Sequence, residues 1–250
     1  MVTLGTYDLL LLIFVSAQAA AVAYLYHPKW KALAFSLPIP FTFAVLALGH
    51  PVDATNVLGL ICVLLFMHGV RLLHRRLQVP IVPAIIACAL GYCLVGWGLA
   101  GVAPRNDLAF HASAGTAFVL AILLVLAPRH PDEPGHRTSL PIWVKLPIIV
   151  GVVLFLVLVK HHLRGFMALF PMVGVLAAYE ARHSLRTMCR QISITMLCMV
   201  PLMVLSRLLE PRIGLGASLA VGWVPFLMIL AAFSRPLWNG KLGNSEPAPD

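Results

Sequence analysis

Charged residues are scarce in this 250-residue chain, of which only 11% is charged and 60% is hydrophobic. A soluble globular domain needs a more polar surface, so the composition predicts a polytopic membrane protein. Alternating hydrophobicity with a turn signal every ten positions or so is also lacking, which argues against a β-barrel. The net charge of +9 therefore bears on orientation in a membrane and does not indicate a nucleic-acid partner.

Sequence motifs for catalysis and cofactor binding are lacking too. The chain has no nucleotide-binding loop, no GxSxG, no HExxH and no paired intramembrane carboxylates, so no catalytic residue and no cofactor are predicted. His68 and His111 lie at different depths of their predicted spans, which argues against a haem-ligating pair, and no metal site is predicted. Five cysteines without CxxC or zinc-like spacing are interpreted as small buried hydrophobic residues: Cys62, Cys88, Cys93, Cys189 and Cys198.

Nine apolar segments of about 20 residues are long enough to cross the hydrocarbon as helices. They are predicted at 8–26, 31–49, 54–73, 80–102, 108–127, 142–159, 163–180, 187–205 and 212–233. The connector 128–140 carries three prolines and four charged residues, which predicts a solvated linker. The Pro/Gly-rich polar tail from Ser234 is predicted to be flexible.

An ungapped internal repeat relates residues 22–100 to residues 153–231, with 14 identical pairs over 79 positions. The most informative pairs share one register: Lys29/Lys160, Phe35/Phe166, Pro40/Pro171, Arg76/Arg207, Pro80/Pro211 and Gly91/Gly222. Spans 1–4 thus correspond to spans 6–9. The partner of span 1 is the internal span 6, which cannot be a signal peptide, so span 1 is not interpreted as one either. Because an odd number of spans separates the partners, the two halves are predicted to be inverted relative to each other.

The predicted organisation is a first four-helix repeat (1–103), an inverter helix with a cytoplasmic linker (104–141), a second, inverted repeat (142–233) and a flexible cytoplasmic tail (234–250). Of the 18 Lys and Arg residues, 13 fall on the side that holds the C-terminus and 5 on the other. Cytoplasmic loops are enriched in Lys and Arg. We therefore predict a bacterial-type inner (plasma) membrane protein with its N-terminus outside and its C-terminus in the cytoplasm.

Helix-breaking residues at repeat-related positions predict a site near the membrane midplane. Proline frees a backbone carbonyl, which in a bilayer must face protein, an ion or a water-filled cavity. Paired breaks in corresponding helices are typical of transporter sites, although the same residues also suit ordinary kinks and close helix packing. The candidate substrate-binding residues are Ser36, Pro38, Pro40, Thr42, Gly91, Tyr92, Pro171, Gly222 and Trp223.

The few acidic residues provide candidate ion or proton sites. Asp53 and Asn56 open span 3, and Glu180 ends span 7. An interfacial role is favoured because all three lie near predicted span ends, whereas a deeper position would make them functional candidates. The repeated basic residues, Lys29 with Lys160 and Arg76 with Arg207, are interpreted as snorkelling to headgroups, with attraction of an anionic substrate as the alternative.

Residues 160–231 resemble the small inner-membrane GlpM-like family, whose members are single four-span units. The resemblance rests on LRGFMALFP at 163–171, then Ala177-Ala178-Tyr179, Arg186, Pro201, Ala217-Ser218 and Gly222-Trp223. The first half matches through Phe35, Pro40, Gly91 and Tyr92, with Ile39 in place of Phe170 and Val70 in place of Pro201. The resemblance implies a four-span unit duplicated in tandem, and it supplies no catalytic residue.

Together these patterns predict an all-α polytopic membrane protein with nine transmembrane helices in an inverted 4+1+4 repeat. The preferred function is that of a transporter or channel for a small solute, ion or lipid-linked molecule, with its site between spans 2, 4, 7 and 9. One alternative is a non-catalytic accessory or structural subunit of a membrane assembly, such as envelope polysaccharide machinery. The other is a membrane-embedded lipid enzyme. The expected partner is the lipid bilayer, with a homo-oligomer or a larger membrane complex as further alternatives.

Overall fold

The computed structural model describes residues 5–104, 106–127, 133, 143, 147, 150–152, 154, 163 and 165–239. These residues are overwhelmingly helical, and no strand occurs among them. The helices are α1 (Thr6–Tyr24), α2 (Pro28–Ser36), α3 (Ile39–Leu48), α4 (Ala54–Arg75), α5 (Ile81–Val102), α6 (Asp107–Leu126), α7 (Gly165–Leu169), α8 (Met172–Glu180), α9 (Leu185–Ile213) and α10 (Leu215–Asn239).

Among the described residues, seven helical segments are long and apolar enough to cross a membrane. They have 19 to 29 residues, and a rise of about 1.5 Å per residue makes each comparable to or longer than the hydrocarbon core. The pair α2–α3 is one of the seven, whereas α7–α8 is a shorter apolar segment, Gly165–Glu180. The chain is therefore an α-helical, multi-pass membrane protein.

The predicted spans correspond to the observed helices with two kinds of difference. Spans 1, 3, 4 and 5 are the single helices α1, α4, α5 and α6, whereas spans 2 and 7 are each divided into two short helices. Span 8 extends past its predicted end at 205, because α9 continues through Pro211 and ends at Gly214, whose φ is 80°. Span 9 is α10, which continues to Asn239 and so includes the first six residues of the tail predicted at 234–250. Most of span 6, most of the linker 128–140 and residues 240–250 lie outside the described residues.

Short polar sequences determine where several helices begin and end. Gly49 ends α3 with a φ of 66°, a left-handed conformation that glycine adopts without strain. The Asp53 carboxylate accepts a hydrogen bond from the Thr55 N–H at 2.9 Å, and Asn56 Oδ1 accepts one from the Asp53 N–H at 2.9 Å. This reciprocal capping box starts α4. Asn106 starts α6 by accepting a hydrogen bond from the Ala109 N–H at 2.8 Å.

Helices α4 and α9 lie side by side in the bundle and run antiparallel. α4 packs against α5, α6 and α7, and α9 packs against α10, α6 and α2. At one end Arg207 of α9 donates to the carbonyl of Val52, just before α4. At the other end Arg75 of α4 donates to the carbonyl of His183, just before α9. The bundle therefore has two opposite ends, which we call the Val52 end and the His183 end.

Candidate functional site at two helix breaks

The break in span 2 lies at Leu37 and Pro38. A residue before proline is driven away from the α-helical region, and Leu37 is extended with φ −61° and ψ 131°. Side chains satisfy part of the interrupted backbone. Gln18 Nε2 of α1 donates to the carbonyls of Ala34 at 2.8 Å and Leu37 at 3.1 Å. Thr42 donates to the carbonyl of Pro38 at 2.8 Å.

The break in span 7 lies at Phe170 and Pro171, between α7 and α8. Tyr92 of α5 donates its hydroxyl to the carbonyl of Phe166 at 2.8 Å, and its ring meets the Phe170 ring edge to face with centroids 5.3 Å apart. Asn56 Nδ2 of α4 donates to the carbonyl of Gly165 at 3.2 Å. Side chains from the first half of the chain thus satisfy the backbone of the broken span in the second half.

Both breaks border one cavity of about 80 Å³. Segments 35–41 and 168–174 supply the break residues of the wall, and α4 and α9 supply the rest: Leu60, Val63, Ile192, Thr195, Met196 and Met199. The lining is mainly apolar. Of the predicted site residues, Ser36, Pro38, Pro40 and Pro171 are brought together here.

The polar part of the wall is formed by residues that lie far apart in sequence. Gln191 Nε2 donates to Ser36 Oγ at 2.6 Å, and Ser36 donates to the carbonyl of Ala32 at 2.9 Å. Thr195 Oγ1 lies 3.0 Å from Ser36 Oγ and 2.9 Å from the carbonyl of Gln191. Ser36 is only 1% exposed, so this small hydrogen-bonded cluster lies inside the bundle.

The aromatic residues Tyr92 and Trp223 contact the broken spans without lining the cavity. Trp223 Nε1 donates to Thr42 Oγ1 at 2.9 Å, and Tyr92 donates to α7 as described. Each aromatic side chain therefore bonds to the broken span of the other half. The cavity walls come from the broken spans 2 and 7 and from spans 3 and 8, whereas spans 4 and 9 contact the broken spans outside the cavity.

The two repeated glycines occupy different environments. A Cβ atom at Gly222 would lie 2.7 Å from Ser206 Oγ and 2.9 Å from the carbonyl of Leu202, so Gly222 permits close packing of α10 on α9. Nothing lies within 4 Å of the corresponding position at Gly91. Neither glycine is among the residues that line the cavity.

The acidic candidates lie away from the cavity as well. Asp53 and Asn56 form the capping box that starts α4. Glu180 ends α8 and is fully buried, and Lys31 Nζ donates to its backbone carbonyl at 3.4 Å. Lys31 itself is 1% exposed, so two charged residues are buried together near the His183 end.

Basic residues connect elements at both ends of the bundle. At the Val52 end, Arg207 pairs with Asp107 at 2.7 Å, and its guanidinium lies 4.8 Å from the centroid of the Phe110 ring. At the His183 end, partial burial and the positive charges of Arg182 and Arg75 lower the pKa of His183. Through its contacts with Asp107, Phe110 and Val52, Arg207 joins helices within the protein and does not only extend to lipid headgroups.

The sequence interpretation missed Gln18, Gln191, Thr195 and Lys31, although a signal was present for each. All four are polar residues inside predicted spans, where such residues are costly and usually paired. Gln191 and Thr195 are also four positions apart, which places them on one face of a helix. The partner of each residue depends on helix packing, and the sequence pattern does not show it.

Within the described part of the chain, no three His, Cys, Asp or Glu side chains are close enough together to hold a metal ion. Comparison with protein-family models, curated proteins and solved structures finds no match to this chain. The proposed function therefore depends on the geometry of the helix breaks and of the cavity between them.

Proposed function

We propose that the protein is a transporter or channel that moves a small solute across the membrane through the cavity between its two broken spans. One observation carries the proposal: the breaks of spans 2 and 7 face each other across a single cavity. Broken helices that meet inside a bundle are where transporters place their substrate sites. Irregular backbone at this depth is tolerated only when it is buried in protein or lines a cavity.

The proposal includes an inverted repeat with a pseudo-two-fold axis. In its support, α4 begins at Ala54 and α9 at Leu185, which are 131 positions apart, and the two helices run antiparallel. The carbonyls contacted by Arg207 and Arg75 belong to Val52 and His183, which are also 131 positions apart. Tyr92 and Trp223 are also 131 positions apart, and each donates a hydrogen bond to the broken span of the other half.

The remaining parts of the proposal rest on the sequence. They are nine spans with residues 142–159 as the sixth, a bacterial-type inner membrane, an external N-terminus and a cytoplasmic C-terminus. Duplication of a GlpM-like unit is part of the same proposal. The basis is the ungapped repeat and the excess of Lys and Arg on one side.

Cysteine accessibility tests the transport proposal. In a variant lacking the five native cysteines, Val173→Cys places a thiol on the cavity wall. A membrane-impermeant thiol reagent is expected to label it in membrane vesicles of either orientation, as alternating access or an open pore requires. Val15→Cys is the matched control, because Val15 of α1 is equally buried but does not line the cavity. It is expected to stay unlabelled.

Absence of labelling at Val173→Cys from both sides would contradict transport. A dry and permanently packed seam between the broken spans would favour the accessory-subunit function instead.

A further inference from the structure

Basic side chains from both halves of the chain meet at the His183 end. Arg75 Nη2, at the end of α4, donates to the carbonyls of Arg182 at 3.4 Å and His183 at 2.8 Å. Arg182 Nε donates to His183 Nε2 at 3.3 Å, and the Arg182 guanidinium lies 5.3 Å from the centroid of the Tyr179 ring. His74 also acts electrostatically on His183. We call His74, Arg75, Arg182 and His183 the basic cluster.

The excess of Lys and Arg on one side of the membrane does not account for this cluster. That excess orients the chain, and basic residues spread over the whole face would serve equally well. Here the contacts of Arg75 hold it beside Arg182, 107 positions away in the sequence. Two like charges held close together cost free energy unless an anion offsets their repulsion.

The effect of this positive charge is visible on a member of the cluster. Partial burial and the charges of Arg182, Arg75 and His74 lower the pKa of His183. Protonation of this imidazole is thus disfavoured by its neighbours. The cluster is therefore a region of positive potential as well as a set of basic residues.

Acidic side chains near this end are engaged elsewhere. Glu133 Oε2 accepts hydrogen bonds from the N–H and the hydroxyl of Thr187, at 2.8 and 3.0 Å, in the first turn of α9. Glu180 is fully buried, and Lys31 contacts its backbone carbonyl. In the described part of the chain, no carboxylate contacts the guanidinium of Arg75 or Arg182. Any anion that neutralises them must therefore come from outside these residues.

The cluster has room and donors for a ligand. Arg75 and His183 are exposed, and Arg182 and His74 are partly exposed. A guanidinium has five N–H groups on three nitrogens. In their contacts with described residues, Arg75 donates only through Nη2 and Arg182 only through Nε. The remaining N–H groups of both arginines can bind phosphate oxygens.

The position of the cluster indicates where the phosphate comes from. The cluster lies at the end of the membrane-spanning helix α4 and in the connection before α9, where helix ends meet the lipid headgroups. Tyr179 beneath Arg182 is typical of residues at that level. Basic pockets between transmembrane helices bind the headgroups of anionic lipids. We infer that the basic cluster binds the phosphate of an anionic phospholipid, with Arg75 and Arg182 donating to its oxygens.

This inference is independent of the proposed transport function. The cluster joins the end of α4 to the segment before α9, so a bound headgroup would stabilise the contact between the two halves of the chain. The melting temperature of the purified full chain in detergent tests this, with phosphatidylglycerol, phosphatidylcholine or inorganic phosphate added at equal concentrations.

Phosphatidylglycerol is expected to raise the melting temperature, whereas phosphatidylcholine and inorganic phosphate leave it unchanged. Equal stabilisation by phosphatidylcholine would show that the negative headgroup is not recognised. Equal stabilisation by inorganic phosphate would identify a site for a soluble anion. Either result, or the absence of any stabilisation, would overturn the inference.

Variants of Arg182 locate the site, with the apparent dissociation constant of phosphatidylglycerol measured by native mass spectrometry. Arg182→Gln is expected to weaken binding roughly fivefold, the effect of one basic residue near an anionic lipid surface. Arg182→Lys keeps the charge and is expected to keep most of the affinity. The matched control is Arg212→Gln, which removes the same charge from an exposed arginine near the opposite end of α9 and should leave binding nearly unchanged. Equal affinities of Arg182→Gln and Arg212→Gln would overturn the assignment.

Discussion

Single side chains stabilise the backbone at both helix breaks. Carbonyls that lose their helical partners are costly in an apolar interior. Gln18 and Tyr92 donate hydrogen bonds to such carbonyls. Thr42 adds a hydroxyl bond to the Pro38 carbonyl, which also accepts from the Thr42 N–H, and Asn56 donates to the carbonyl of Gly165. The breaks are therefore well-defined local structures whose stability can be tested one donor at a time.

Tyr92→Phe removes the hydroxyl that donates to the Phe166 carbonyl but keeps the ring that packs against Phe170. Loss of a buried donor is expected to lower the free energy of unfolding by about 1 kcal/mol. The measurement is the melting temperature of the purified protein in detergent. Tyr26→Phe, at a tyrosine that is 55% exposed, is the control. Indistinguishable melting of the two variants would contradict the assigned role of Tyr92.

Gly165 lets α7 approach the start of α4 closely. A Cβ atom there would collide with Thr55 Oγ1 and lie 2.8 Å from the backbone nitrogen of Asn56. The capping box holds these atoms in place, so Gly165→Ala is expected to destabilise the protein by about 1–3 kcal/mol through overpacking. Gly115→Ala in α6, where nothing lies within 4 Å, is the control. A melting temperature for Gly165→Ala at or above that of Gly115→Ala would be the contrary result.

At the scale of elements, each broken span consists of two short helices whose sets of neighbours differ in part. α2 packs against α1 and α9, and α3 packs against α1 and α7. α7 in turn packs against α4. The cavity exists because the ends of these short helices do not fill the space between α4 and α9.

The double variant Pro38→Ala/Pro40→Ala is expected to straighten span 2. It restores two backbone N–H groups and removes the steric restrictions on Leu37 and Ile39, so 28–48 can form one helix. The cavity should then shrink, and Val173→Cys should react with a thiol reagent several-fold more slowly. Pro83→Ala, at an exposed proline in the first turn of α5, is the control, since proline is well tolerated there. Unchanged labelling in the Pro38→Ala/Pro40→Ala background would mean that packing alone maintains the break.

For the whole molecule, the antiparallel arrangement of α4 and α9 creates two ends with similar cross-links. Arg207 ties the end of α9 to the segment before α4, and Arg75 ties the end of α4 to the segment before α9. A carrier that opens alternately to each side needs comparable closures at both ends. Under the proposed transport function, these two arginine contacts are the candidates for the closures.

The predicted orientation places the Val52 end outside and the His183 end in the cytoplasm. In the cysteine-free background, His50→Cys is expected to react with an impermeant thiol reagent on intact cells. His183→Cys is expected to react only after permeabilisation. Both histidines are exposed, so each variant is the control for the other. The opposite pattern would reverse the orientation, and labelling of both on intact cells would contradict the placement of these two segments at opposite ends.

Local sequence properties account for much of the fold. Hydropathy depends on consecutive residues, so it located the spans that became α1, α4, α5 and α6 to within a few positions. Proline acts on its own backbone and on the residue before it. The divisions of spans 2 and 7 could therefore be anticipated from Pro38, Pro40 and Pro171. No local sequence pattern indicated that α9 would continue through Pro211.

The sequence by itself determined that the protein spans a membrane with helices, because hydropathy is a property of neighbouring residues. It indicated the interruptions of spans 2 and 7 through Pro38, Pro40 and Pro171, although Pro201 and Pro211 leave α9 continuous. Only the tertiary structure decided what surrounds the interruptions. It placed Gln191 of α9 against Ser36 of α2, 155 positions away, and buried Lys31 beside the Glu180 carbonyl. It also showed Gly222 packed against α9 rather than lining the cavity. These partnerships depend on how helices pack, since each apolar helix face can be buried against several others and the energy difference lies in the fit of distant side chains.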